Sequence, residues 1–140
     1  MSDTQQPYTP LPPQPPPQPV PPQSGLTDNA AGAIAYLTFI PAIIFLAVPP
    51  YSTSPFVRFH AWQSIFLSIG AFVVNVGVAI FIGIAATFLP WGLYGLVHLF
   101  SMLVYLLWFI LWIVCVMKAV NGGKFVIPII GNLAEQMANK

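Results

Sequence analysis

Few side chains in this sequence have a type that could take part in catalysis or metal binding. They are Asp3, Asp28, Glu135, His60, His98 and Cys115. Hydrolysis, group transfer and metal binding need such groups close together, as paired carboxylates or as His and Cys at ligand spacing. No such pattern is present. The sequence therefore predicts no enzyme, no metal site and no cofactor.

The densest group of polar side chains lies in the stretch FVRFHAWQSIF, residues 56–66. Arg58 is the only arginine of the chain, and no charged residue follows it until Lys118. Arg58 has two interpretations: a cation that binds a substrate, or an orientation marker that touches anionic lipid headgroups. The second is favoured, because a cation in a short loop beside an apolar run is typical of the cytoplasmic side of a membrane.

The composition predicts that the protein lies in lipid. The chain has 140 residues, of which 57% are hydrophobic and 5% are charged, against roughly 25% charged residues in a soluble domain. Too few polar side chains are available to cover a folded surface in water. The net charge of +1 also argues against a nucleic-acid partner, because phosphate binding needs clustered Lys and Arg.

Three apolar segments predict an all-α fold with three transmembrane helices, at about residues 30–48, 61–89 and 93–117. Each is close to or longer than the roughly 20 residues that a spanning helix needs. Pro41 should kink the first helix. Residues 27–136 are thus expected to form one three-helix transmembrane domain with a short interfacial tail.

The two ends of the chain differ from this domain. Residues 1–26 are rich in Pro and Gln and are expected to form a disordered arm, a spacer rather than a PxxP docking site. No signal peptide is visible, so the arm is expected to remain in the mature protein. At the other end, residues 121–123 (Asn-Gly-Gly) predict a helix stop. The tail beyond them could lie on the membrane surface or dock a partner, and the sequence leaves both open.

Three spans would place the two ends of the chain on opposite sides of the membrane. All four cations would then share the side of the carboxyl tail: Arg58, Lys118, Lys124 and Lys140. By the positive-inside rule that side is cytoplasmic. The sequence thus predicts a cytoplasmic carboxyl terminus and an amino terminus outside.

A line of small or polar side chains recurs at helical spacing in the second segment. Its members are Ser64, Ser68, Ala71, Asn75, Ala79, Gly83 and Ala86. Transmembrane helices associate where small side chains allow close approach, so this line is expected to be a packing face. Asn75 is expected to hold two helices in register, with a polar pathway as the alternative.

Three stretches carry a resemblance to a known family: AYLTFIPAIIFL, FVRFHAWQSIF and KAVNGGKFVIPIIGNLAE. Over about residues 30–136 the chain resembles the bacterial family of small uncharacterised membrane domains that is grouped with the twenty-kilodalton Tic translocon channel subunit of the chloroplast inner envelope. The matching positions are Arg58, His60, Gln63, Ser64, Phe125, Pro128, Gly131 and Glu135. The resemblance implies a bacterial cytoplasmic membrane protein, and partner or lipid contacts at these positions.

The expected function is that of a non-enzymatic integral membrane protein that acts through helix packing and contacts with partners, either further copies of itself or other membrane proteins. The alternative is an oligomeric channel or translocon-like component. Its lumen would be lined by Asn75, Thr87, Ser101 and Tyr105. An enzyme would require His60 and Glu135 to meet at the membrane surface.

Overall fold

The computed structural model describes residues 25–140, and its elements are helices. They are α1 (Asp28–Ile34), α2 (Phe39–Ala47), α3 (Pro55–Phe88), α4 (Trp91–Val120) and α5 (Ile130–Ala138), with a 3₁₀ turn at Tyr51–Thr53. The predicted arm, residues 1–26, falls almost wholly outside the described residues. The all-helical fold agrees with the sequence prediction.

The first apolar segment is not the single spanning helix that the sequence predicted. It is divided into α1 and α2, of 7 and 9 residues, which are only about 10 and 14 Å long, against a hydrocarbon core of roughly 30 Å. Pro41 explains the break, because within one helix it would lack an N–H donor and clash with the preceding turn. Since α2 begins at Phe39, Pro41 lies in a first turn, where no N–H group has an intrahelical partner.

The divided segment begins and ends at the same end of the molecule. The backbone N–H of Leu26, just before α1, donates to the hydroxyl of Tyr51 at 2.9 Å. Ser54 donates to the Asp28 carboxylate at 2.6 Å. Residues 28–47 therefore form an N-terminal hairpin of two short helices, which runs along α3 and returns.

Two helices within residues 25–140 are long and apolar enough to cross a membrane, α3 and α4. Helix α3 begins at Pro55 because Ser54 caps it, accepting from the N–H of Val57, and proline suits the first helical position. The predicted start at residue 61 was therefore too late. Arg58 and His60 lie on the helix and not in a preceding loop.

The carboxyl-terminal end of α4 agrees with the predicted stop. Gly122, at φ +70°, donates to Ala119 O at 3.0 Å, and Gly123 donates to Lys118 O at 2.8 Å. These two bonds are the Schellman motif, in which a residue with positive φ ends a helix. The chain then turns back along α3.

The tail forms a second hairpin. Residues 123–128 lack helix, and α5 follows a γ-turn in which Ile130 donates to Pro128 O. A methyl group added at Gly70 of α3 would lie 4.0 Å from Ile130, near the tip of this hairpin. Arg58 lies three turns earlier on α3 than Gly70 and donates to the carbonyl of Met137, near the carboxyl end of this hairpin. Residues 123–138 are the C-terminal hairpin.

The core lies at one end of the molecule. Three buried clusters join the two hairpins to the first half of α3 and the last turns of α4. We call this part the wide end: the N-terminal hairpin, the C-terminal hairpin, residues 55–70 and residues 108–120. Residues 71–107, which contain only the remainder of α3 and α4, are the narrow end.

Candidate functional site

The candidate site is a buried polar cluster on the first turns of α3. His60 is 1% exposed, Gln63 0% and Ser64 3%. Burial of these groups is costly unless they are hydrogen-bonded. Their partners therefore show what the cluster does.

One part of the cluster holds the N-terminal hairpin. Ser64 donates to Ala35 O at 2.5 Å, and Trp112 of α4 donates to Tyr36 O at 2.8 Å. These carbonyls follow the last residue of α1, where a helix leaves its carbonyls without intrahelical partners. The hydroxyl of Tyr36 is hydrogen-bonded to His60 Nδ1 at 3.1 Å. The polar side chains thus satisfy the backbone groups that the helix break exposes.

Another part of the cluster holds the C-terminal hairpin. The amide of Gln63 donates to Phe125 O at 2.8 Å and lies 3.6 Å from the sulfur of Cys115. Arg58 donates to Met137 O at 3.2 Å, and a cation at the end of a helix such as α5 is favourable. These bonds fasten the non-helical residues 123–128 and α5 to α3.

His60 is enclosed by aromatic rings. The centroids of the Phe56 and Phe59 rings lie 4.4 and 5.1 Å from its own, and Gly32 of α1 allows the backbone to approach it. His60 Nε2 and Gln63 Oε1 are buried without a hydrogen-bond partner. No hydrogen bond therefore joins His60 to Glu135. In the part of the chain that the structure describes, no three His, Cys, Asp or Glu residues come together.

The structure brings the two predicted motifs together. Gln63 of the first motif bonds the backbone of the tail motif at Phe125, and Arg58 bonds Met137, two residues beyond that motif. Pro128 lies at the tip of the C-terminal hairpin. Gly131 lies beside it, where an added methyl group would come within 2.8 Å of the backbone of Val126.

The remaining predicted positions lie elsewhere. Glu135 is half-buried on α5, and His98 is exposed on α4 beside the ring of Tyr94. Tyr36 was missed as a site residue, because its role depends on a helix break that hydropathy does not report. Trp112 was missed for the same reason.

The predicted packing line is divided between the two ends of the molecule. Ser64 is buried, and Ser68 and Ala71 are half-buried, but Asn75, Ala79 and Gly83 are exposed. The amide of Asn75 donates to Ala71 O of its own helix at 2.8 Å. Contact of these exposed residues with another chain stays a prediction.

Comparison with known proteins decides the family. Residues 27–134, well over half of the chain, match the model of the magnetosome magnetite crystal formation protein family. The chain belongs to this family. Its matched region begins with the N-terminal hairpin and includes most of the C-terminal one. The hairpins are therefore part of the family domain.

Archaeal membrane proteins are similar to the chain. A UPF0132 membrane protein of Methanocaldococcus jannaschii is 43% identical over 115 residues, which cover 80% of this chain and 89% of the relative. One of Archaeoglobus fulgidus is 34% identical over 112 residues, covering 79% and 95%. A second from Methanocaldococcus jannaschii is 35% identical over 115 residues, covering 80% and 71%. No solved structure matches the chain.

These findings support an uncharacterised membrane family and correct part of the resemblance. They link the chain to the magnetosome family and to archaeal relatives, not to the Tic translocon subunit. The expectation of a bacterial protein has no support from them. The relatives' names and the two apolar helices fit a location in the membrane.

Proposed function

We propose that this chain is a non-enzymatic integral membrane protein whose wide end is a platform for partner proteins at the cytoplasmic face. The observation that carries the proposal is the use of the buried polar groups. His60, Gln63 and Ser64 each bond the backbone or side chain of a neighbouring segment. They are arranged to hold two hairpins in place, and a platform needs such a rigid support.

Charge supports the orientation. Arg58, Lys118 and Lys124 belong to the wide end or its connecting loop, and Lys140 follows α5. By the positive-inside rule this end faces the cytoplasm. Because Leu26 lies beside Tyr51 at the same end, residue 25 emerges there too. The proposed orientation therefore places both ends of the described domain in the cytoplasm, in place of the opposite sides that three spans would give.

The family's printed description concerns magnetite crystal formation. A part in crystal formation is compatible with a protein that acts by contacts at a membrane face and not by catalysis. The channel alternative requires several copies around a polar lumen. Asn75, Thr87 and Ser101 all donate to carbonyls of their own helices, so the proposal does not depend on a lumen.

Site-specific photocrosslinking in native membranes tests the platform. A photoreactive residue at Asn132 or Gln136, both exposed on α5, should give discrete protein adducts. The matched control is Leu103, exposed on the narrow end, which should give lipid adducts. Protein adducts from Leu103 with none from α5 would contradict the proposal.

The channel and enzyme alternatives have separate tests. Flux of ions or small solutes through liposomes that contain the purified protein, lost in Asn75→Leu, would support the channel. Sealed vesicles would support the platform. A phenotype of Glu135→Gln as severe as deletion of the whole chain would reopen the question of an enzyme.

A further inference from the structure

The exposure of side chains differs sharply between the two ends of the molecule. Of residues 71–107, Ala85 and Ser101 are buried and the others are half-buried or exposed. The wide end contains all three buried clusters. The molecule is therefore thick at one end and thin at the other.

The space around the glycines also differs between the two ends. A methyl group added at Gly32 would lie 2.9 Å from Phe56, and one added at Gly70 would lie 3.0 Å from Trp108. At Gly77, Gly83 and Gly95 an added methyl group would meet nothing within 4 Å. Neighbouring segments thus press against the helices at the wide end and are absent around these three positions of the narrow end.

Within the narrow end, α3 and α4 contact each other along one line. The less exposed side chains of α3 recur at steps of four, four and three: Val74, Val78, Ile82 and Ala85. Those of α4 recur at steps of three, four and three: Tyr94, Val97, Ser101 and Val104. Side chains at this spacing lie on one side of a helix.

The rest of the circumference is exposed and apolar. Phe72, Ile80 and Phe81 of α3 are 69%, 59% and 52% exposed and point in different directions around the helix. The most apolar windows of α3 and α4 have mean hydropathies of 2.5 and 2.6. A helix that is apolar on all sides is suited to lipid, whereas a partner protein would cover one side. Acyl chains are therefore the occupant that fits the narrow end.

We propose that the protein is a wedge in the bilayer, and that it concentrates in curved membranes whose convex leaflet contains the wide end. A helix with its side chains is about 10–12 Å across. Two helices fill the narrow end, and two further hairpins surround them at the wide end, so the cross-section there is about twice as large. The leaflet around the wide end is thus expanded relative to the other, and convex curvature relieves this difference. The proposal does not depend on partner proteins.

Tubes pulled from giant vesicles test the proposal. The full chain carries a dye on Asn139→Cys, close to the wide end, while Cys115 is buried. Vesicles of phosphatidylcholine with phosphatidylglycerol contain the protein in both orientations. A membrane-impermeant quencher outside the vesicle removes the signal of the molecules whose wide end faces out, so the two orientations are measured separately. The ratio of dye to lipid fluorescence is measured in the tube and in the vesicle.

Molecules with the wide end outside should be enriched in the tube, increasingly so as its radius falls. An enrichment of about threefold corresponds to about 0.7 kcal/mol. Molecules with the wide end inside should be depleted. Equal ratios for both orientations, or no dependence on radius, would overturn the wedge.

Gly25 lies at the wide end, so the bulk of residues 1–24 is a competing explanation for an enrichment in the tube. A variant without residues 1–24 is the matched control, and it should keep the enrichment. Loss of enrichment in this variant would assign the effect to those residues and overturn the proposal. A dimer joined through the narrow end, detected by crosslinking at Val76→Cys, would overturn it as well, because a second copy would fill the thin side.

Discussion

At the scale of single residues, the polar side chains of this protein complete backbone hydrogen bonding inside an apolar molecule. Ser64 and Trp112 satisfy carbonyls next to α1, and Gln63 satisfies one in the C-terminal hairpin. Lipid offers no replacement donors, so non-helical backbone at membrane depth must be satisfied within the protein. This requirement explains why polar residues collect on the first turns of α3.

Tyr36→Phe should lower the stability of the domain. The change removes the hydroxyl bonded to His60 Nδ1 and leaves a buried nitrogen without a partner, which costs about 1–3 kcal/mol. Thermal unfolding in detergent measures the loss. The matched control is Tyr105→Phe, at an exposed tyrosine of the narrow end, which should unfold like the parent. Equal stability of the two variants would show that the Tyr36 bond contributes nothing.

Gly131→Ala should destabilise the C-terminal hairpin. The added methyl group would come within 2.8 Å of the Val126 backbone, which cannot move aside as a side-chain end can, and overpacking of this kind costs about 1–3 kcal/mol. Gly83→Ala is the control, since its methyl group would meet nothing within 4 Å. It should be neutral or slightly stabilising, because Ala favours helix over Gly. Thermal unfolding of both variants in one detergent makes the comparison.

At the scale of elements, two hairpins pack against two long helices. Each hairpin is interrupted where the sequence contains proline: Pro41 lies in the first turn of α2, and Pro128 opens the γ-turn before α5. Ile129, at the centre of that turn, has φ 71° and ψ −64°, a strained conformation for a β-branched residue. The hydrogen bonds of Gln63 and Arg58 to either side of the turn support it.

Labelling of single cysteines tests this arrangement. Leu26→Cys and Asn139→Cys should react with a membrane-impermeant maleimide from the same side, because both lie at the wide end. Gly92→Cys, in the first turn of α4 at the opposite end, should react from the other side. Labelling of Leu26→Cys from the same side as Gly92→Cys would contradict this arrangement and support the three spans that the sequence predicted. In intact cells the maleimide reaches only the outer face of the membrane. The cysteines that react only after permeabilisation therefore lie on the cytoplasmic side.

At the scale of the whole molecule, charge and thickness coincide. The cations from Arg58 to Lys140 lie at the wide end or in its tail, and residues 59–117 contain no Asp, Glu, Lys or Arg. The end that the positive-inside rule assigns to the cytoplasm is therefore also the wide end of the proposed wedge. If this end is cytoplasmic, the proposed wedge predicts enrichment in membranes that are convex toward the cytoplasm.

The mass of the protein in detergent reports its oligomeric state. Because the Asn75 amide is bonded within its own helix, Asn75→Leu should leave the mass of the protein in detergent unchanged. Light scattering after size-exclusion chromatography measures it. A parent dimer that becomes a monomer in Asn75→Leu would support the alternative, a homo-oligomer assembled on the line of small residues. Ala79→Leu lies on the same line and adds bulk without removing an amide. A monomer in this variant as well would indicate steric blockage, and a dimer would assign the effect to the lost amide.

The solvent and the two long helices of this protein could be predicted from the sequence alone. Lipid follows from 57% hydrophobic and 5% charged residues, and the spans of α3 and α4 follow from uninterrupted apolar runs. The stop at residues 121–123 followed from glycine, whose conformational freedom is a local property. The importance of Arg58, His60, Gln63 and Ser64 as a group was also visible in the sequence, although their purpose was not.

Two features come from the tertiary fold and not from the sequence pattern. The first apolar segment returns to the end of the molecule where it begins, and the tail folds back along α3. Hydropathy measures whether a residue prefers lipid, not whether a segment crosses it, so a hairpin of 20 mostly apolar residues looks like a span. The difference depends on whether other segments satisfy the carbonyls freed at a break. Here Ser64 and Trp112 supply the donors, from 29 and 76 residues away along the chain. Contacts at that separation are not encoded in any local pattern.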